Sequence, residues 1–257
     1  MAGSSRVKSA ERTLDVLTVL AQRSAPMTTS EISNALAMPK STTHHLLNVM
    51  QDRFFVHYSR EQRVWSLGTA VLEIASAYLR HSPLAQEGHR FLRRLTDRTG
   101  ATSHTALLQG TDAVYVDKRE PQSNGVRLVT EIGSRLPAHT TAVGLAMLGG
   151  LDDTRIAEIY AGYDWPSRTG TGPSDLTELL DALGAVRSSG LAVEVGGTTA
   201  GISCIACPVR SSGGRTIGAI GVSFMTAAIS DSEQEELRQS IRQVGAEFSA
   251  ALGAPAA

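Results

Sequence analysis

Cysteine is scarce in this chain, two in 257 residues, so no disulfide framework exists and a reducing, cytoplasmic setting is the expectation. Long apolar runs are missing as well. Nothing approaches the ~18 residues of a membrane span, and the opening MAGSSRVKSAERT lacks the apolar core of a signal peptide, so no membrane partner is expected. Catalytic signatures are missing too. There is no G-x-x-x-x-G-K-[ST], and the Gly170/Gly172 stretch carries no dinucleotide pattern. Gly201-Ile202-Ser203-Cys204-Ile205 begins like G-x-S-x-G but lacks the last glycine and lies in a strand-like run. Cys204 and Cys207 form a C-x-x-C, yet residues i and i+3 of a strand point to opposite faces and no second pair exists. No catalytic residue, metal site or cofactor is therefore expected. His104 and His139 read as hydrogen-bonded structural histidines.

What remains is an ordinary globular composition, 42% hydrophobic and 19% charged, with a net charge of −1 that hides an asymmetry. Up to Gly68 there are eight Lys or Arg against five Asp or Glu; beyond it there are sixteen against twenty. A mildly basic front on a mildly acidic body suits a nucleic-acid module joined to a non-binding domain.

The most informative stretch runs from Thr28 to Asp52. Thr28 with Glu31 three residues later is a capping box, and Ile32, Ala35 and Leu36 then fall on one helical side. Met38-Pro39 breaks that helix, and a proline is tolerated at the start of the next. In the second helix Thr43, Leu46, Leu47 and Met50 make an inward face, while Lys40, Ser41, His44, His45 and Asn48 occupy the other. Those side chains can reach base edges and phosphates, as the recognition helix of a helix-turn-helix does. Upstream, Ser9 to Arg23 reads as a supporting helix with Leu14, Leu17, Leu20 and Ala21 inward. Downstream, Phe55-Val56 and Val64-Trp65 flank the polar tip Ser59 to Arg63 as a β-hairpin would, forming a wing with Arg60 and Arg63 toward phosphates or the minor groove.

The blocks SAERTLDVLTVLA, TTSEISNALAMPKSTTHHLL and VWSLG resemble the DNA-binding domain of the IclR family of bacterial transcription regulators. The PKST-x-H-x-LL core matches at Pro39, Lys40, Ser41, Thr42, His44, Leu46 and Leu47; His45 departs, standing where the family commonly has arginine. The candidate DNA contacts are thus Thr29 and Ser30 on the first helix, Lys40, Ser41, Thr42, His44, His45 and Asn48 on the second, and Arg60 and Arg63 on the wing.

Thr69 to Arg80 is a helix apolar over more than one face through Val71, Leu72, Ile74, Ala75, Tyr78 and Leu79, an interdomain helix that would pack on its copy in a dimer. His81-Ser82-Pro83 ends it. Beyond it we read a helix over Pro83 to Arg98, strands over His104–Leu108, Ala113–Lys118 and Val126–Glu131, and helices over Thr140–Leu148, Asp153–Tyr160 and Asp175–Val186. Strands follow over Leu191–Val195, Ile202–Val209 and Thr216–Phe224, then a closing helix capped by Ser230 and Glu233. This is an α+β pattern: an N-terminal winged helix-turn-helix over 8–68, a linker helix over 69–82, and a mostly antiparallel sheet with segregated helices over 83–252.

The second domain also resembles the IclR family, in its GAF-like ligand-sensing half, through AVYVDKRE, GSRLPAHTTAVG, GISCIACPV and IGAIGVSF. Alternation places Cys204 and Ala206 on one face, and on the next strand Ala219, Gly221 and Ser223 share a face. If these small-residue faces coincide, they leave a hollow with a thiol, a hydroxyl and exposed backbone for a small polar ligand. The resemblance points to the same place, matching pocket residues of relatives to Glu194, Cys204, Gly221 and Ser223. Gly221 replaces a commoner serine, Glu194 stands where relatives can carry Asp or another residue, and Leu145 replaces the usual lysine of the T-A-x-G-K-A block. Singly, Cys204 reads as a buried hydrophobe and Glu194 as a solvated strand-end carboxylate; as one convergent face they read as a pocket. The resemblance implies a regulator that binds double-stranded operator DNA as a homodimer or homotetramer and senses a small-molecule effector, an organic acid or aromatic carboxylate. The competing reading is a small-molecule-binding or cysteine-dependent enzyme on a GAF-like scaffold, with Cys204 as nucleophile.

Overall fold

The computed structural model describes residues 7–122 and 131–255, and the chain divides into two compact units, one up to His81 and one from Ser82 on. The strand expected over Val126–Glu131 lies, but for Glu131, outside the described residues.

In the first unit, α1 (Lys8–Gln22), α2 (Thr29–Ala35) and α3 (Lys40–Asp52) are followed by the antiparallel hairpin β1 (Val56–Ser59) and β2 (Val64–Leu67), and then by α4 (Thr69–His81). Both halves of the capping box form at Thr28 and Glu31. Two expected faces shift. On α1 the buried residues are Val16 and Leu20, while Leu14 and Ala21 are exposed. On α2 Ala35 is exposed and Ser33 is buried, its hydroxyl donating to the Met38 carbonyl at 2.6 Å. That bond holds the turn in which Ala37 takes a positive φ of 48°. The core joins Val16, Leu20, Met27, Ile32, Met38, Leu47, Met50, Val56 and Trp65. Gly68 is needed for a close approach, since a Cβ there would lie 2.2 Å from the Phe54 carbonyl oxygen.

The second unit is a six-stranded antiparallel sheet between two helical layers. In chain order its elements are α5 (Pro83–Thr99), β3 (Thr102–Gln109), β4 (Asp112–Arg119), β5 (Arg135–Pro137), α6 (Ala142–Leu148), α7 (Asp153–Ile159), α8 (Leu176–Ser189), β6 (Ala192–Val195), β7 (Ile202–Arg210), β8 (Thr216–Met225) and α9 (Asp231–Ala251). The strand order is β5-β4-β3-β8-β7-β6. One face carries Ile205, Cys207, Ile220, Val222 and Phe224 against Phe91, Leu92 and Leu95 of α5 and Leu237, Ile241, Val244 and Phe248 of α9. The other carries Ala106, Tyr115, Ala192, Cys204, Ala206 and Ala219 against α6, with α7 and α8 beyond it. This is period-two alternation on central strands covered on both sides. Among the described residues no helix is long and apolar enough to cross a membrane.

Candidate functional site

The helix-turn-helix face is built from α3. Its Thr43, Leu47 and Met50 are buried, and Lys40, Ser41, His44, His45 and Asn48 are exposed, with Thr42 half-buried. Leu46, expected inward, is only partly buried. Asn48 lies one helical turn after His44, and its amide donates to the His44 Nδ1 at 3.1 Å, which leaves the imidazole Nε2–H and the amide oxygen pointing outward. Val49 is 60% exposed on the same side as Thr42 and His45. The sequence reading places Val49 on neither face, since it counts only polar side chains as candidate DNA contacts.

The wing is fastened to this pair. Met27 bridges to Trp65 through two backbone bonds of 2.9 and 2.7 Å, and the Trp65 indole N–H donates to the Thr29 hydroxyl at 2.9 Å. Thr29 therefore works first as a clasp between α2 and β2, while Ser30 beside it is exposed. Arg60 and Arg63 are exposed at the two ends of the hairpin turn, and Arg63 takes a positive φ of 57°.

In the second unit the two small-residue faces do coincide. Cys204 is paired with Ser223 and with Glu194, and Ala206 with Gly221 and Ala192, so Glu194, Cys204 and Ser223 form a polar row across β6, β7 and β8. The Cys204 thiol and the Ser223 hydroxyl are hydrogen-bonded at 3.0 Å. Glu194 is buried, not solvated as a strand-end carboxylate would be. One carboxyl oxygen, Oε1, accepts the Gly197 backbone N–H; the other, Oε2, has no partner among the described residues. Burial raises the Glu194 pKa against the opposing pull of the Gly197 N–H, the Cys204 thiol and the Thr198 N–H.

The expected exposed backbone at Gly221 is not there. A Cβ at Gly221 would lie 2.9 Å from the Ala206 Cβ and 3.3 Å from the His104 Nε2, so the glycine makes room for the imidazole. His104 is itself a correction. Its Nδ1 is buried without a hydrogen-bond partner among the described residues, and its ring packs on Tyr115 at 5.2 Å. Burial, with the Lys118 charge, lowers its pKa to about 4. Tyr115 reaches this face because the β3–β4 register slips beside it, pairing Thr105 with Asp117 but Ala106 with Tyr115. His139 is packed among rings, with Tyr160, Tyr163 and Trp165 edge-on at 5.2–6.1 Å; burial lowers its pKa, and a hydrogen bond to the Pro166 carbonyl opposes that shift. Tyr115 escapes the sequence reading, since a bulge leaves no compositional trace, and His104 reads there only as a structural histidine and not as part of this face.

This row does not suit nucleophilic catalysis. Burial pushes the Cys204 thiol well up, and the neighbouring Glu194 charge adds to the shift, so the thiolate is suppressed. Cys207 lies on the opposite face, its thiol donating to the Ile241 carbonyl at 3.4 Å. Among the described residues no three His, Cys, Asp or Glu side chains gather as a metal site.

Residues 9–60 match the model of the IclR helix-turn-helix domain, and residues 76–250 that of the bacterial transcriptional regulator IclR C-terminal domain. The HTH-type transcriptional regulator XynR of Escherichia coli (strain K12) is 29% identical over 250 residues, spanning 97% of this chain and 99% of its own. The HTH-type transcriptional repressor AllR of the same strain is 29% identical over 243 residues, 95% of this chain and 89% of its own. A solved IclR homologue of Microbacterium hydrocarbonoxydans, complexed with 4-hydroxybenzoate, shares the fold with a TM-score of 0.82 at 21% identity over 95% of this chain and 98% of that one. These full-length relatives are regulators and not enzymes, and the chain belongs to the IclR family of DNA-binding bacterial transcriptional regulators with a ligand-binding C-terminal domain.

Proposed function

We propose that the protein works in the cytoplasm as a dimer, or a dimer of dimers, that grips operator DNA through two copies of α3 and releases or tightens that grip when an effector occupies the Glu194–Cys204–Ser223 row. The observation that carries this reading is the division of α3: Thr43, Leu47 and Met50 hold it in the core, and five polar side chains and Val49 face outward beside a wing ending in two arginines. Lys40, Ser41, Thr42, His44, His45 and Asn48 clamp phosphates or read base edges, with Ser30 and Thr29 at the start of α2 beside them. Val49 fits a thymine methyl. Two such helices meet half-sites about 34–36 Å apart or a multiple of it. The dimer forms through α4, none of whose side chains is buried although Leu72, Ile74, Tyr78 and Leu79 are apolar or aromatic.

The effector belongs to the small organic acids or aromatic carboxylates, in keeping with the 4-hydroxybenzoate held by the Microbacterium homologue. Cys204 and Ser223 give it a floor, with Ala206 and Gly221 closed off beneath the His104 imidazole, and Glu194 gives its polar end. It acts by binding one arrangement of the dimer better than the other.

Fluorescence binding to duplex DNA from upstream of the protein's own gene, over a salt series, tests the DNA half. Lys40→Ala is expected to weaken binding and to flatten the log–log salt slope by about one unit, the signature of one lost phosphate contact. An unchanged slope removes Lys40 from the phosphates, and equal weak affinity for every duplex overturns the recognition-helix assignment. Ser223→Phe is expected to abolish effector-dependent release while leaving the DNA affinity in place.

A further inference from the structure

Glu194 is the only Asp, Glu, Lys or Arg among the buried polar residues described, at 7% exposure, and its Oε2 has no partner. Leaving a carboxylate oxygen buried and unpaired is costly, and such a group persists where something supplies the missing donor. Among the described residues no cation is bonded to it. Lys118, across the β3–β4 pair from His104, already places its ammonium 3.0 Å from Glu120 and 3.2 Å from Glu131.

The Cys204 thiol and the Ser223 hydroxyl share one hydrogen bond of 3.0 Å in which either can donate, and Cys204 is paired directly with Glu194 on the neighbouring strand. With Oε1 taken by the Gly197 N–H, what the row holds for a ligand is the acceptor capacity of Glu194 Oε2. A ligand carboxylate pressed against this end would set like charges in a site with few competing waters.

We propose that Glu194 is the residue that selects the effector, requiring of it a hydroxyl group that donates to Oε2. The inference rests on the reading that this face holds the effector, and it narrows that class to hydroxylated molecules whose carboxylate, where they carry one, points away from Glu194. A hydroxyl suits the site better than an ammonium. Burial raises the proton affinity of Glu194, and a hydroxyl serves both forms, donating to the carboxylate and accepting from the acid, whereas an ammonium serves only the ionised one.

Calorimetric titration of the full-length protein with matched probes tests this: 4-hydroxybenzoate, benzoate and 4-(aminomethyl)benzoate, then glycolate, acetate and glycine, with glycerol as a neutral hydroxyl donor. At least one hydroxylated probe is expected to bind about tenfold or more tighter than its bare and amine counterparts, as a hydrogen bond to a charged acceptor warrants. Glu194→Leu should bring that ratio close to unity, and Glu194→Gln, which keeps a neutral acceptor, should restore part of it. The inference is overturned if the bare acid matches the hydroxylated one, if the amine binds tightest, or if no hydroxylated probe binds. A probe that binds wild type and Glu194→Leu equally but is lost in Ser223→Phe overturns the selection by Glu194 and leaves the effector site standing. A probe insensitive to both substitutions overturns the site as well.

Discussion

His104 is wholly enclosed, its ring tilted against Tyr115 and seated in the gap that Gly221 leaves, and its pKa falls from 6.5 to about 4. Between those values the unfolded chain binds a proton that the folded chain refuses. The stability this contributes is complete above pH 6.5 and is lost as the pH falls toward 4. At about 1.4 kcal/mol per pKa unit the loss reaches roughly 3 kcal/mol. Glu194, raised by burial, works in the opposite sense, its share being present at low pH and lost as pH rises. Urea unfolding of the wild type at pH 7 and pH 5 should therefore show a drop that His104→Phe lacks; equal drops in both would place the acid sensitivity elsewhere. Gly245 carries a comparable constraint, because a Cβ there would lie 2.1 Å from the Cys207 sulfur. Gly245→Ala gains helix propensity in α9 yet should lose about 1–3 kcal/mol by overpacking, read in the same unfolding curves. A stability gain would mean that α9 can lift from the sheet without cost.

Helices announce themselves in this sequence by their caps. Thr28 with Glu31 and Ser230 with Glu233 both form reciprocal capping boxes, and α2 and α9 begin there. Thr28→Ala should cost the first unit about 1 kcal/mol and loosen the recognition pair; a loss below ~0.3 kcal/mol would show the turn being held by Ser33 and Met38 instead. Faces are harder to read than starts. In α1, Leu14, Val16, Leu17, Val19 and Leu20 spread apolar character around the cylinder, so periodicity alone chose Leu14 where packing chose Val16. The register that sets Cys204 opposite Ser223 came only with the paired strands, while strands with six or more alternating residues were legible in their faces. The three-residue β5 and the slip that turns Tyr115 inward were not, because each depends on a partner strand and not on its own residues. The candidate effector row was thus readable in its small residues and unreadable in the imidazole and phenol that crowd them.

At the scale of the molecule the charge division and the division into two units fall in nearly the same place, between Gly68 and Ser82, with α4 in the interval. That helix presents Leu72 at 68% exposure and Ile74 at 59%. Exposed leucine and isoleucine on one short helix are an unmet opportunity for burial, each roughly 1.5–3 kcal/mol when fully covered. A second copy of α4 would cover them, and pairing there would couple two recognition helices into one binding event. Joining two heads raises avidity by roughly 10²–10⁴ over one without any new DNA contact. Leu72→Glu with Leu79→Glu would place like charges across a pairing of α4 with its copy while leaving α3, the wing and the candidate effector row untouched. The double variant should sediment as a monomer at micromolar concentration and bind operator DNA at least about a hundredfold more weakly, with the thermal unfolding of each unit unchanged. If it still sediments as a dimer, α4 is not the seam. If it is monomeric yet binds operator as tightly as the wild type, one head suffices for recognition and the paired half-site geometry is wrong.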